Sequence, residues 1–366
     1  MGLAKSVGRK LPQGWRSKFH QWRSAYRAGQ LRRRLKLVSQ NNLANGLYYG
    51  LLNPELSREA KAVAAGQLRY IQDRNDGGLN YYLLRRNVHR LEKGLVMRPR
   101  RAVFGRDFIE ETVTIFGQIA RAEASAWSSE LHWSNDVLSH YFDAVDRSEP
   151  RIERARALYE LIGKDHVALP ELGDAQVPFA RDLSQPASVD YGAFMALCRR
   201  RRSVRWFEDR PVPREVIDKA LLAAVQAPSA CNRQPFHFRI FDDSTQAREI
   251  AALAMGTKGF ADRLPHLAVI VGQLRAYPYE RDRHAIYIDA SLAAMSFMFA
   301  LETMGAASCS INWPDHEPYE TRMRERLNLE ADERVVMLLA FGWPDPQGLV
   351  PFSSKRGLDR VRSYNQ

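Results

Sequence analysis

An α+β fold is predicted for this chain, on three observations. Residues 191–366 alternate helix-like and strand-like segments but carry no Gly-x-Gly-x-x-Gly turn between a strand and a helix, which excludes a doubly wound dinucleotide fold. Residues 41–180 place apolar side chains three and four apart with almost no two-residue alternation, the helical period. A chain of 366 residues, 45% apolar and 10% aromatic, can bury a large core and form two domains. The division expected is a basic N-terminal segment at 1–40, a helical domain or extension at 41–180, a linker at 181–190 and an α+β domain at 191–366. Its central sheet is expected to be mixed or antiparallel.

The first forty residues hold eleven basic side chains and no acidic one, so they supply eleven of the twelve net positive charges. Trp15, Phe19, Trp22 and Tyr26 fall four, three and four apart, one aromatic stripe on a cationic helix. Such a helix suits an anionic membrane surface, a docking face on a partner subunit or on the chain's own body, or a basic arm on nucleic acid. The third reading is the weakest, because no recognition pattern for nucleic acid accompanies the charge.

Helices are then expected at Ser57–Ile71, Leu79–Leu95, Phe108–Ser125, Asp136–Val145 and Pro150–Ile162. His89 and Glu92 lie three apart on one helical face. With no second ligand pair they read as a surface contact and not as a metal site, and Gly94 is expected to end that helix. The stretch Val167–Val189, broken by Pro170, Gly173, Pro178 and Pro186, is the best linker candidate. Helices follow at Tyr191–Cys198 and Pro213–Ala227, a strand at Phe236–Phe241 and a helix at Ala247–Met255. A buried strand is expected at Leu267–Gly272. A long apolar helix, Asp289–Met304, carries small residues suited to a domain centre or a dimer seam. An edge strand at Ala307–Ile311, a helix at Tyr319–Leu327 and a central strand at Val335–Phe341 complete the order.

No run of eighteen apolar residues is present, so no membrane span is expected. The N-terminus also lacks the apolar core and cleavage site of a secretory signal. Cys198, Cys231 and Cys309 form no CxxC unit, which fits a reducing compartment without disulfides or structural zinc. A cytoplasmic location is expected, with peripheral membrane attachment as the alternative.

The chemistry gathers at Arg200-Arg201-Arg202-Ser203-Val204-Arg205. Guanidinium groups are almost never buried unpaired, so this run is either a solvated face or a site for an anion. Their planar forks suit a phosphate or a rim of carbonyl oxygens. Two further segments are candidates to converge on it: Ala227-Pro228-Ser229-Ala230-Cys231-Asn232-Arg233-Gln234-Pro235-Phe236 and Lys355-Arg356.

In order and spacing, these segments resemble the FMN-dependent nitroreductase superfamily over residues 191–360. The resemblance rests on Arg201 to Arg205, on Pro228-Ser229-Ala230-x-Asn232-x-Gln234-Pro235, and on the small-residue helix running into Gly305-Ala306-Ala307-Ser308-Cys309. Gly342-Trp343-Pro344 and Lys355-Arg356 complete it. It implies an α+β homodimer binding two FMN molecules at its interface. Arg201, Arg202 and Ser203 would grip the phosphate and ribityl chain, and Arg205 would approach the polar edge of the ring system and raise its potential. Pro228, Ser229 and Ala230 would lie against the ring from the other subunit. Asn232 and Gln234 would bond near the pyrimidine edge or position their loop. Backbone at Ala307 and Ser308 would face the ring, and Lys355 and Arg356 would close on the phosphate.

The implied activity is hydride transfer from NADH or NADPH through FMN to a small organic acceptor, with no catalytic side chain beyond the flavin and no metal. A flavin-binding scaffold recruited to a membrane or protein complex is the alternative. Tyr277, Tyr279 and Arg281 are candidates for a substrate lid. The helices before residue 180 lie outside the superfamily core and would narrow access to the cofactor.

Overall fold

The computed structural model describes residues 13–53, 56–75, 78–123, 128–164 and 175–365. Within the stretches read from sequence, Lys5, Arg9, Lys10, Ser125, Pro170 and Gly173 lie outside these residues. The chain divides into two compact units, residues 1–61 and 62–366.

In the first unit, helix α1 (Gln13–Gln40) is followed by a short helix α2 (Asn42–Leu47) and a π-turn at Tyr48–Leu52. Asn41 caps α2, its side chain accepting from Ala44 N–H at 2.9 Å. Within the expected stripe, Trp22 stacks on Tyr26 at 5.7 Å, and both rings are largely exposed.

The second unit begins with a helical layer made by the part of α3 (Ser57–Asn75) from Ala62 onward, α4 (Tyr81–Leu95), α5 (Ile109–Ala122), α6 (Ser129–Ala144) and α7 (Pro150–Lys164). Leu84, Val88, Leu91 and Leu95 repeat at four, three and four and are buried with Val113, Phe116, Leu138 and Tyr141 in one apolar core. Gly94 does not end α4. A Cβ there would come within 2.2 Å of the Phe104 ring, so glycine serves close packing, and the helix runs on to Leu95. The helix expected from Asp136 starts seven residues earlier, because Ser128 caps it by accepting from Leu131 N–H.

Next come α8 (Tyr191–Arg200), α9 (Arg214–Ala224), β1 (Phe236–Phe241), α10 (Ser244–Ala251), β2 (His266–Gln273), α11 (Ala285–Thr303), β3 (Ala307–Asn312), α12 (Tyr319–Leu327) and β4 (Glu333–Gly342). The four strands form one antiparallel sheet in the order β1-β2-β4-β3. Side chains alternate across it. Val269, Val271, Leu338 and Ala340 face α10 and α12, whereas Ala268, Ile270, Leu339 and Phe341 face α9 and α11. Covered on both faces, β2 is buried from His266 to Gly272, which is why its sequence reads as a continuous apolar run.

The apolar helix starts at Ala285, so Asp289 lies inside α11 and not at its boundary. With its preceding turn, this segment (Glu280–Thr303) is long and apolar enough by composition to cross a membrane, which the sequence reading discounted. Here it is a core helix. Ala290, Ala293, Ala294 and Phe297 are buried against the sheet, while Ile288, Leu292 and Met295 form an exposed apolar stripe. Residues 175–190 are neither helix nor strand, and Phe179 and Leu183 in them are exposed.

Candidate functional site

The arginine run emerges where α8 stops. Asp190 caps that helix by accepting from Ala193 N–H at 2.8 Å, and its last residue, Arg200, is paired with the buried Glu302 at 2.9 Å. The next residues behave differently. No ion pair joins Arg201, Arg202 or Arg205 to a carboxylate among the described residues. Ser203 instead bridges Ser308 in parallel fashion, and Val204 N–H donates to Ser308 O at 3.1 Å, which lays the run along the free edge of β3. Phe207 makes a second bridge to Pro344 and packs where Gly342 has no side chain; a Cβ there would meet the Phe207 ring at 3.0 Å. Arg205 donates to Ser203 O and lies 5.7 Å above the Phe260 ring.

Three guanidiniums therefore lie at or next to this edge without a carboxylate partner among the described residues. Burial raises the Cys309 thiol pKa, and Arg205 and Arg201 pull against that rise, so both guanidiniums act on the same strand. Beside them is a cavity of about 370 Å³ walled by Arg205, Phe260, Cys309, Ser310, Ile311 and Asn312. Ala307 and Ser308, expected to face a cofactor, are buried one turn of the pleat earlier. The wall falls on Ser310 to Asn312, which sequence reading did not select.

The second segment is a strained loop. Cys231, Asn232 and Gln234 have φ of 54°, 52° and 50°, all left-handed and none glycine. Such residues cost roughly 1–3 kcal/mol each and persist only where their surroundings over-determine them. Within the loop, Ser229 Oγ accepts from Gln234 N–H at 3.0 Å, and Gln234 Nε2 donates to Asn232 Oδ1 at 3.1 Å. Beneath it, Asp289 Oδ2 accepts from Ala230 N–H at 3.1 Å and from the Tyr277 hydroxyl at 2.9 Å. The buried Arg233 donates to Ala230 O and stacks 4.8 Å above the Tyr277 ring. Burial raises the Asp289 pKa against the pull of these three partners. A buried network thus holds the loop from below.

That network corrects the lid reading for Tyr277. Its ring is buried and its hydroxyl is committed to Asp289. Tyr279 is exposed, with Arg281 stacked on it at 4.7 Å. Against the outer side of the loop lies a cavity of about 520 Å³, walled by Pro228, Asn232 and Gln234 together with Arg85, Glu130 and Trp133 of the helical layer. Lys355 and Arg356 lie in an exposed C-terminal stretch, with no described hydrogen bond or ion pair. The two cavities share no wall residue, so within one chain the arginine edge and the loop border separate cavities.

His89 Nδ1 lies 3.5 Å from Glu92 Oε2, whose other oxygen accepts from Trp133 Nε1 at 3.0 Å. Among the described residues no group of three or more His, Cys, Asp or Glu side chains is placed to hold a metal. The sequence singles out neither Arg85, Glu130 nor Trp133, offers Arg233 only as part of the loop segment, and offers Asp289 only as a helix start. Of these, only Asp289 carried a signal of its own, as an acid inside a nearly all-apolar helix.

Residues 198–257 and 247–343 match the Nitroreductase family. The chain is 33% identical over 153 residues to an Archaeoglobus fulgidus protein named "Putative NADH dehydrogenase/NAD(P)H nitroreductase", covering 39% of this chain and 81% of that one. It is 27% identical over 271 residues to iodotyrosine deiodinase 1 of Sus scrofa, covering 66% of this chain and 86% of that protein. Among solved structures, an FMN-dependent nitroreductase from Clostridium difficile R20291 aligns at 23% identity and a TM-score of 0.41, over 47% of this chain and 99% of that one.

Proposed function

Because the chain belongs to the nitroreductase family, we propose that it is an FMN-dependent oxidoreductase passing hydride from NADH or NADPH to a small organic acceptor. The observation that carries this reading is the contrast within the arginine run. Arg200 is neutralised by Glu302, whereas Arg201, Arg202 and Arg205 have no described carboxylate partner and lie along a strand edge beside a cavity. That donor set fits a phosphorylated cofactor: two adjacent forks for the phosphate, a serine within the run, and a third guanidinium at the cavity wall.

When bound, FMN supplies a two-electron carrier that accepts and returns hydride. Arg201, Arg202 and Ser203, with Lys355 and Arg356, would hold its phosphate and ribityl chain. Arg205 would keep positive charge at the ring edge, and Ser310 to Asn312 would wall one side. Pro228, Ser229 and Ala230 would supply the opposite wall from a second subunit. Two half-sites sharing no residue favour a homodimer, and the exposed Ile288, Leu292 and Met295 stripe is the face on which we place it. Domain boundaries at about residues 40 and 180–190 belong to the same proposal.

One observation favours a narrower acceptor class. The match to iodotyrosine deiodinase 1 spans 66% of the chain, well beyond the family-matched segment, which supports a halogenated aromatic whose carbon–halogen bond is replaced by carbon–hydrogen with release of halide. The cationic helix α1, with Trp22 and Tyr26 exposed, is proposed to attach a cytoplasmic enzyme to anionic membrane surfaces. Sedimentation with phosphatidylserine vesicles, with and without residues 1–40, tests it, and equal binding by both forms rejects it.

The decisive assay for the main reading is optical. Purified protein is expected to be yellow, and the flavin absorbance to bleach anaerobically on adding NADH or NADPH. Colourless protein that takes up no added FMN overturns the proposal. Flavin that resists both nucleotides keeps the site but rejects NAD(P)H as reductant, the outcome a flavin-binding scaffold would give.

A further inference from the structure

We propose that Arg85 is a positioning residue, through which the helical layer locks the strained Ser229–Pro235 loop and so sets the geometry of one cofactor wall. This rests on the FMN reading of that loop. The Arg85 guanidinium makes three unlike contacts at once. Its Nε donates to Asn232 O at 2.8 Å, its Nη1 lies 3.3 Å from Glu130 Oε1, and its Cζ lies 5.4 Å from the centre of the Trp133 ring. Both charged side chains are mostly buried, Arg85 15% and Glu130 19% exposed.

The carbonyl that Arg85 holds belongs to one of the three left-handed residues of the loop. The bonds from Asp289 and Ser229 fix Ala230 and Gln234, and the bond from Arg85 fixes the carbonyl between them. Strain of this kind is kept only by such redundancy, so removing one anchor releases it locally.

The residues behind Arg85 exist to aim it. Trp133 is itself held by Glu92 through its indole N–H, and Glu130 projects from the first turn of α6. Burial raises the Glu130 pKa and Arg85 lowers it, so each charge makes the other tolerable in a partly desolvated wall. A lysine is a point charge and cannot meet a carbonyl, a carboxylate and an aromatic face together. The same three side chains line the 520 Å³ cavity beside Pro228 and Gln234, so displacement of the loop also reshapes the space next to it.

The test uses the full-length protein and the variants Arg85→Ala, Arg85→Lys and Glu130→Gln. Hydrogen–deuterium exchange is read over residues 228–235 without FMN, and FMN affinity by fluorescence titration. Losing a charge-assisted bond predicts that Arg85→Ala speeds loop exchange and weakens FMN binding about tenfold or more, with exchange in β2 and β4 unchanged. Arg85→Lys recovers less than half of that loss on a logarithmic scale, and Glu130→Gln falls between wild type and Arg85→Ala.

Loop exchange within about twofold of wild type in Arg85→Ala overturns the inference. So does a uniform rise in exchange through the whole unit, which would make Arg85 a general strut; if Arg85→Ala fails to fold, Arg85→Lys and Glu130→Gln give the same two readings. Wild-type protein that binds no FMN overturns the cofactor reading instead, and the exchange of the FMN-free loop still decides the role of Arg85.

Discussion

Replacing Asp289 by alanine removes one carboxylate from beneath the loop and should destabilise the fold. Asp289 is 4% exposed, and its Oδ2 accepts two bonds, from Ala230 N–H and the Tyr277 hydroxyl. The Tyr277 hydroxyl is a buried donor, and leaving it without a partner costs about 1–3 kcal/mol, whereas the part-buried Ala230 N–H can turn to water and adds less. Arg233, 6% exposed, pulls the Asp289 pKa down through its charge without forming an ion pair with it. Asp289→Ala is therefore expected to lower unfolding free energy by about 2–4 kcal/mol.

Asp289→Asn keeps an acceptor and relieves the desolvated charge, so about 1–3 kcal/mol is expected for it. Tyr277→Phe removes one bond, for about 1 kcal/mol, and the double variant Asp289→Ala/Tyr277→Phe should cost less than the sum of its parts, since the two share that bond. Urea unfolding followed by tryptophan fluorescence gives all four values. A cost below about 1 kcal/mol for Asp289→Ala, or strict additivity in the cycle, would refute the claim that this network holds the loop.

Arg201→Gln and Arg202→Gln should each weaken FMN binding about tenfold or more, whereas Arg200→Gln, which breaks only the Glu302 pair, should stay within about threefold. Fluorescence titration separates these outcomes. Leu292→Glu places a charge in the exposed α11 stripe and should convert a dimer to monomer in sedimentation velocity, with FMN affinity falling in parallel. Stability should also fall on mild acidification. Burial lowers the His266 pKa, and its Nε2 must stay unprotonated to accept from Val212 N–H at 3.2 Å. Below the ordinary histidine value of about 6.5 the unfolded chain therefore takes up a proton before the folded one, and stability drops until the lowered native pKa is reached. His266→Gln should flatten that slope in urea midpoints measured against pH.

The centre of the sheet was legible because β2 and β4 are covered on both faces and read as apolar runs of the right length. The arginine run stood out in the sequence because four guanidiniums in six positions cannot be a core segment. Its division into one paired member and three without an ion pair among the described residues was not legible, since Glu302 lies a hundred residues away on another helix. The loop hid its strain because left-handed backbone there is carried by cysteine, asparagine and glutamine, with no glycine to mark it. Asp289 looked like a helix boundary because caps are local patterns. Its actual partners, Ala230 and Tyr277, are brought to it only by the fold. Arg85 carried no signal at all, since an arginine on a surface helix is the commonest thing a sequence shows.

The bridge between Ser203 and Ser308 gives the arginine run a second duty. In the order β1-β2-β4-β3, β3 is a terminal strand whose outer backbone groups would otherwise invite pairing with another chain. The residues proposed to bind an anion therefore also shield the sheet from edge-to-edge association. Substitutions at Ser203 and Val204 will register in soluble yield as well as in turnover. A mutational screen scored on activity alone would mistake aggregation for lost chemistry at these two positions.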